Sequence, residues 1–305
     1  MPSQQRSDDD ANLDEGPETP QAVGEAHESP EIVLRARTGW IAIDWEEMYA
    51  FRELFFFLIW RDISARYKQT VLGSAWAVLQ PLIMMLVFCF LAFILKIPTP
   101  EVNGKQLPYP VFVFAGLIPW MLFSQGMPAA ALSLLTNQHL LTKVYFPRLF
   151  LPLTAATVYL VDMAYATGIY AVILTIYRIP PAWTIVFLPL LILVTLIGTL
   201  GIGTILASLT LFYRDFRHII PFLVQFMMYA TPVFYAAPDM SKHRWFGYLL
   251  SLNPMYGIID AYRAVILGAP LNATYLLISS ISGLALLVFG LFYFRRTERR
   301  FADFA

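Results

Sequence analysis

One carboxylate stands well inside an apolar run: Asp162, in the stretch YLVDMAYA. An ionisable side chain in such a place is costly to bury and is a functional candidate by default. Two chemistries fit it, a proton relay or a hydrogen-bonded packing residue. A relay needs companion acids, bases or histidines within the spans, and none accompanies it. His27, His139, His218 and His243 fall in separate segments without ligand spacing, and Cys89 is the single cysteine. Neither a metal centre, a disulfide framework nor a catalytic constellation is therefore expected. No G-x-x-x-x-G-K-[ST] occurs. The chain has no P-loop to hold ATP, so energy for any pumping must come from another polypeptide and no cofactor is expected in this one. Gly198, Gly201 and Gly203 lie in an apolar segment without the strand-to-helix setting of a phosphate cradle. With Ala207 four residues after Gly203, they read as a helix-packing surface.

The elements that hold these residues follow from composition. Of 305 residues 58% are hydrophobic and 14% charged, with a mean hydropathy of +0.61, too apolar for a water-soluble fold of this length. A bilayer span needs about 20 mainly apolar residues. Six segments qualify: Ser74–Leu95, Val111–Leu135, Leu149–Tyr177, Ile185–Phe212, Ile219–Phe234 and Tyr275–Phe294. Pro119, Gln125 and Pro128 in the second, and Pro221 and Pro232 around the fifth, predict broken or kinked helices. With both ends cytoplasmic, 15 Lys and Arg fall on the inner side against six outside, and 11 against six when only those near the spans count. That bias sets the orientation. The sequence thus divides into an acidic tail (1–31) expected to be disordered, a cytoplasmic segment (32–70), a six-span domain (71–294) and a basic C-terminus (295–305). The tail holds nine acids and one arginine, which suits either a docking arm or a merely solvated extension. Arg295, Arg296, Arg299 and Arg300 suit anchoring to anionic headgroups, worth about 1 kcal/mol each, or attraction of a lipid pyrophosphate.

Two segments are unusual. In Asp44–Gln69, Asp44 and Glu47 stand at capping-box spacing. The apolar block Leu54–Trp60 is too short to span, and Glu46, Glu53, Arg61 and Lys68 recur about every two turns along one side. This predicts an amphipathic helix in the headgroup plane, with Trp45 and Trp60 as anchors. Its basic end, RYKQ, runs through Val71–Ser74, where Gly73 permits a bend, into an apolar run that still carries Gln80 and Pro81. A stiff joint is expected there, able to pass a push on the helix to the first span. The second segment is Trp245–Gly268, broken by Asn253 and Pro254 into pieces too short to cross. It reads as a helical hairpin that dips into the outer leaflet or caps the bundle, with Asp260 and Arg263 on one face of its second piece.

Five blocks, RDISARYKQTVLGSAWAVLQPL (61–82), FAGLIPWMLFSQGM (114–127), LLTKVYFPRLFLP (140–152), YRDFRHIIPFLVQFMMYATPVFY (213–235) and LNPMYGIIDAYRAVILG (252–268), in this order, resemble the membrane subunit of polysaccharide and O-antigen exporting ABC transporters, a type-two exporter family. The resemblance implies an all-α membrane protein with six spans, an interface helix and an outer hairpin before the last span. It implies a homodimer, joined by two copies of a separate ATPase that holds ATP and magnesium, in the bacterial inner membrane. The cargo would be a lipid-linked glycan, and no nucleic acid is involved. On this pattern Glu46, Glu47, Arg52, Arg61, Lys68, His139, Lys143 and Arg148 would meet the ATPase. Trp120, Phe123, Tyr159, Asp162, Phe226, Tyr229, Phe234 and Tyr235 would line the substrate pathway, since flat aromatic faces stack on sugar rings; as single residues each also suits a lipid-facing belt. Asn253, Pro254, Asp260 and Arg263 would form an outer gate. The acidic extension departs from the pattern. The alternatives are a type-two exporter of another substrate, such as a teichoic acid precursor or a drug, and a membrane-embedded glycan-transferring enzyme. The latter needs paired carboxylates or a basic cluster in an outer loop, and no such arrangement is recognisable.

Overall fold

The computed structural model describes residues 45–68, 75–98, 101–102, 105–143, 145–236, 244–298 and 301. The acidic tail and the joint Val71–Ser74 lie outside the described residues. In chain order the helices are α1 (Trp45–Ala50), α2 (Arg52–Lys68), α3 (Ala75–Leu95), α4 (Tyr109–Thr136), α5 (Gln138–Lys143), α6 (Phe150–Thr157), α7 (Tyr159–Ile176), α8 (Leu188–Phe212), α9 (Phe216–Ala230), α10 (Arg244–Ser251), α11 (Pro254–Leu267) and α12 (Ala273–Glu298). A two-residue antiparallel pair, β1 (Glu101–Val102) with β2 (Lys105–Gln106), sits between α3 and α4.

Among the described residues five stretches are long and apolar enough to cross a membrane: α3, α4, α6 with α7, α8 with the 3-10 turn before it, and α12. They make this a multi-pass membrane protein. The central one is α4, 83% buried over its most apolar window against 17% for α3 and α12. Pro119 and Pro128 do not break it. Both lie inside one continuous helix, where packing on all sides compensates for the lost N–H groups. The fifth predicted span is a 15-residue helix, α9, that stops at Ala230. Thr231 takes up extended backbone (φ −116°, ψ 137°), as the residue before Pro232 must.

The glycines of α8 serve helix packing, as their spacing predicts. A Cβ on Gly203 would meet Ala130 of α4 at 2.7 Å, and one on Gly201 would meet Leu287 N of α12 at 2.8 Å. Gly198 faces Gly283 across the same contact, with Pro254 of α11 against both.

Helices α1 and α2 are nearly continuous, since Phe51 N–H donates to Glu47 O (3.1 Å) and Phe55 N–H to Phe51 O (3.2 Å). Met48, Phe51, Phe55 and Leu58, three or four residues apart, form one stripe packed on a cluster with Leu141, Phe146, Phe150 and Phe294. Burial of Leu58 alone contributes about 2 kcal/mol. The contacts then climb. The start of the helix meets Tyr145, but its end meets Asp162, about 18 Å beyond Phe150 along a helix. The helix therefore runs alongside α6 and α7, from Phe150 to Asp162. Pairing with Asp162 draws its end inward.

Candidate functional site

Around α1, α2 and α5, the expected partner-facing residues divide. Glu46, Arg52, His139 and Lys143 are exposed. Arg52 lies over its own neighbour Tyr49, 4.5 Å from the ring centroid. Glu47 accepts a hydrogen bond from Tyr145 Oη (3.0 Å). Burial, then that hydrogen bond, pushes the Tyr145 phenol up, so it stays a donor. Arg61 pairs with Asp62 (2.7 Å) and donates to Asn137 Oδ1 (3.2 Å), which fixes α2 to the loop after α4. Arg148 donates to Glu298 O (2.6 Å), so it ties the loop to the end of α12 and offers little to a partner. Lys68 is exposed but about 24 Å along α2 from Arg52, away from this face.

The expected pathway residues divide as well. Trp120 and Phe123 are 3% and 0% exposed and pack on each other in the core of the single copy. Helix length and aromatic character do not reveal which face of α4 looks outward. Tyr159 lies beneath the Arg66 guanidinium, 4.2 Å from Cζ to ring centroid. Phe226 and Tyr229, by contrast, are 61% and 59% exposed on α9, along the same face as Phe222 and Gln225. Beyond them Phe234 contacts Tyr229 and Tyr235 edge-on and stacks on Phe88 of α3, with ring centroids 5.0 Å apart. Tyr109 donates to Phe234 O. Phe88 and Tyr109 complete this outer aromatic cluster, and nothing in the local sequence of α3 marks Phe88 for it.

Asp162 is buried, 3% exposed. Its Oδ2 lies 2.6 Å from Arg66 Nη2 and its Oδ1 accepts from Tyr67 Oη. The packing alternative is the one observed, and the carboxylate is committed to partners on α2. Burial, then the hydrogen bond to Asp162, raises the Tyr67 phenol from its ordinary 10.0, so it remains a neutral donor at physiological pH. Arg66 also donates to Gln125 Oε1 (3.1 Å), and Gln125 Nε2 donates to Gln80 Oε1 (3.3 Å). Gln80 therefore has a partner within its apolar run.

Between α10 and α11 the hairpin is well formed. Asn253 caps α11 by accepting from Met255 N (3.0 Å), Pro254 occupies the first turn, and Gly268 ends the helix in the left-handed region at φ 70°, as favoured at those positions. Asn253 Nδ2 donates to Thr231 Oγ1 (2.8 Å). Arg263, 3% exposed, donates to Val233 O (2.6 Å), Tyr235 O (3.4 Å) and Phe112 O (3.4 Å), with Phe112 3.8 Å under its Cζ. Asp260, expected on the same face, forms no ion pair with it among the described residues. The four expected gate residues thus split: Asn253 and Arg263 hold the turn after α9, Pro254 packs between α8 and α12, and Asp260 lies near Arg263 without pairing with it. Every residue of α11 except Asp260 is buried, so the hairpin's second arm packs inside the bundle. Among the described residues no group of His, Cys, Asp and Glu could hold a metal ion.

The family described as ABC-2 type transporter matches residues 53–267, from the start of α2 to the end of α11. The chain belongs to the ABC-2 type transporter family. Three relatives of this ABC-2 type transporter carry names that state a cargo. It is 32% identical to the O-antigen export system permease protein RfbA of Myxococcus xanthus over 220 residues, 72% of this chain and 82% of that protein. It is 29% identical to the RfbA protein of Klebsiella pneumoniae over 80% of this chain and 91% of that one. Similarity extends to the polysialic acid transport protein KpsM of Escherichia coli, 24% identical over 75% and 90%. An ABC-2 type transporter chain of this kind implies an ABC ATPase partner.

Proposed function

We propose that this chain is the permease subunit of an ATP-driven exporter that moves a lipid-linked polysaccharide, an O-antigen or related glycan, outward across the bacterial inner membrane. The observation that carries this reading is the alignment with O-antigen export permeases over 82% and 91% of their own lengths. Two copies of the chain and two of a separate ATPase form the working unit. Both termini are cytoplasmic, and the fifth of six crossings is α9 completed by the turn at 231–235. The exposed residues Glu46, Arg52, His139 and Lys143 receive the ATPase. The face of α9 carrying Phe222, Gln225, Phe226 and Tyr229 lines the conduit between the two copies. An exposed amide is out of place against lipid, and aromatic faces suit sugars that slide past without tight binding. The turn held by Asn253 and Arg263 borders the exit.

The test is co-expression with an ABC ATPase from the same cell, followed by reconstitution into vesicles loaded with lipid-linked glycan. The expected result is a stable two-plus-two complex that translocates glycan only with ATP. Vesicles that hold the permease without an ATPase and still move glycan would refute the reading.

A further inference from the structure

Asp162 sits in a span, yet its two partners come from a helix that does not cross. A buried carboxylate persists only with good geometry and further hydrogen bonds, and here both come from consecutive residues at the end of α2. The Arg66 guanidinium, having bound Asp162 on α7, uses the same Nη2 on Gln125 of α4. Gln125 in turn binds Gln80 of α3. About a turn and a half earlier, the middle of α2 is tied to the loop after α4 through Arg61 and Asn137, and nearer its start Phe55 packs on Phe150 with ring centroids 5.2 Å apart. One rigid helix therefore joins the inner face to a polar chain that touches three spans.

Resting on the exporter reading above, we propose that Arg66, Tyr67 and Asp162 form the coupling joint through which motion of the ATPase-bearing end reaches the membrane bundle. Force enters the third span first, through this clasp, and the first span through Gln125 and Gln80. The covalent connection at Val71–Ser74 is not the principal route. These are positioning residues: they touch neither nucleotide nor glycan, and they set how much glycan moves per ATP hydrolysed.

The complex with its ATPase, in vesicles, carries the test. Asp162→Asn and Arg66→Glu are expected to keep co-purification and ATP hydrolysis near the wild-type level while glycan moved per ATP falls about tenfold or more. The exchange Arg66→Asp with Asp162→Arg should recover part of that loss. A short Gly-Ser insertion after Gln69 should leave export close to wild type. Wild-type export per ATP in Asp162→Asn, or loss of export from the insertion alone, overturns the joint. Absence of ATP-driven export by the wild-type complex defeats the exporter reading instead. Should the variants fail to assemble, spin labels at the exposed positions Phe56 and Ile176 in the permease alone, in nanodiscs, decide the matter. Asp162→Asn must broaden that distance, and an unchanged distribution refutes the clasp.

Discussion

Arg263 is buried among backbone carbonyls, with a phenyl ring beneath it and no carboxylate in contact. Its removal leaves the Val233 and Tyr235 carbonyls without their donor, and hydrogen bonds to a charged group contribute about 1.5–3 kcal/mol each. Arg263→Met should therefore lower stability by about 2–3 kcal/mol, read as a fall in the thermal unfolding midpoint in detergent. Gly116→Ala acts on the same group, because a Cβ there would come within 2.7 Å of Arg263 Nη2 and 2.8 Å of Val233 O. At this scale the sequence was partly legible. Asp162 announced itself as a charge in an apolar run, and Arg66 as part of a basic junction, but nothing local joins two residues on helices so far apart in the chain. The burial of Trp120 and Phe123 was not legible, because an aromatic ring is as useful in a core as on a conduit wall. Position around a helix decides, and a helix apolar on every side hides it.

The break between α10 and α11 was readable from two letters, because Asn accepts from the first free N–H groups and Pro starts a helix without needing its own. Asn253→Ala removes the cap and the tie to Thr231 together. It should cost about 1–2 kcal/mol, more than a cap alone, and hydrogen exchange should rise at 255–257 and around Thr231 in step. The end of α9 was equally readable from Thr231–Pro232, whereas the continuity of α4 through Pro119 and Pro128 was not, because neighbouring helices rather than local propensity hold it. The β1–β2 pair flanks Asn103–Gly104, a strong hairpin signal that hydropathy alone does not carry. The C-terminal ends of α3 and α7 share a further trait. Lys96 and Arg178 take left-handed backbone (φ 51° and 54°) just where Ile97 N–H and Ile179 N–H reach back to Ala92 O and Leu174 O. Glycine would be easier there, but the cations favour the negative helix ends.

Across the whole subunit, α8 and α12 approach through Gly198, Gly201, Gly283 and Gly290, with α11 wedged against them by Pro254. Gly201→Leu overfills that contact, and the expected loss is about 1–3 kcal/mol or a failure to accumulate in membranes, measured by expression and thermal midpoint. The outward faces of α3 and α9 have no such neighbour: Ile83, Phe90, Phe222, Phe226 and Tyr229 are exposed in a single copy. If two copies share one conduit, Phe226→Cys in a Cys89→Ser background should give a dimer with a bifunctional thiol reagent, while Ile281→Cys on the exposed side of α12 should not. The order of the five long apolar helices could be read from hydropathy, but which faces of α3 and α9 stay open could not, because a second copy and lipid demand similar apolar surfaces. One last property follows from α9. Its 15 residues rise only about 22 Å, short of a hydrocarbon layer of about 30 Å. On the proposed reading of α9 as the fifth crossing, long acyl chains pinch inward to meet it, so turnover should depend on lipid chain length and be highest in thin bilayers.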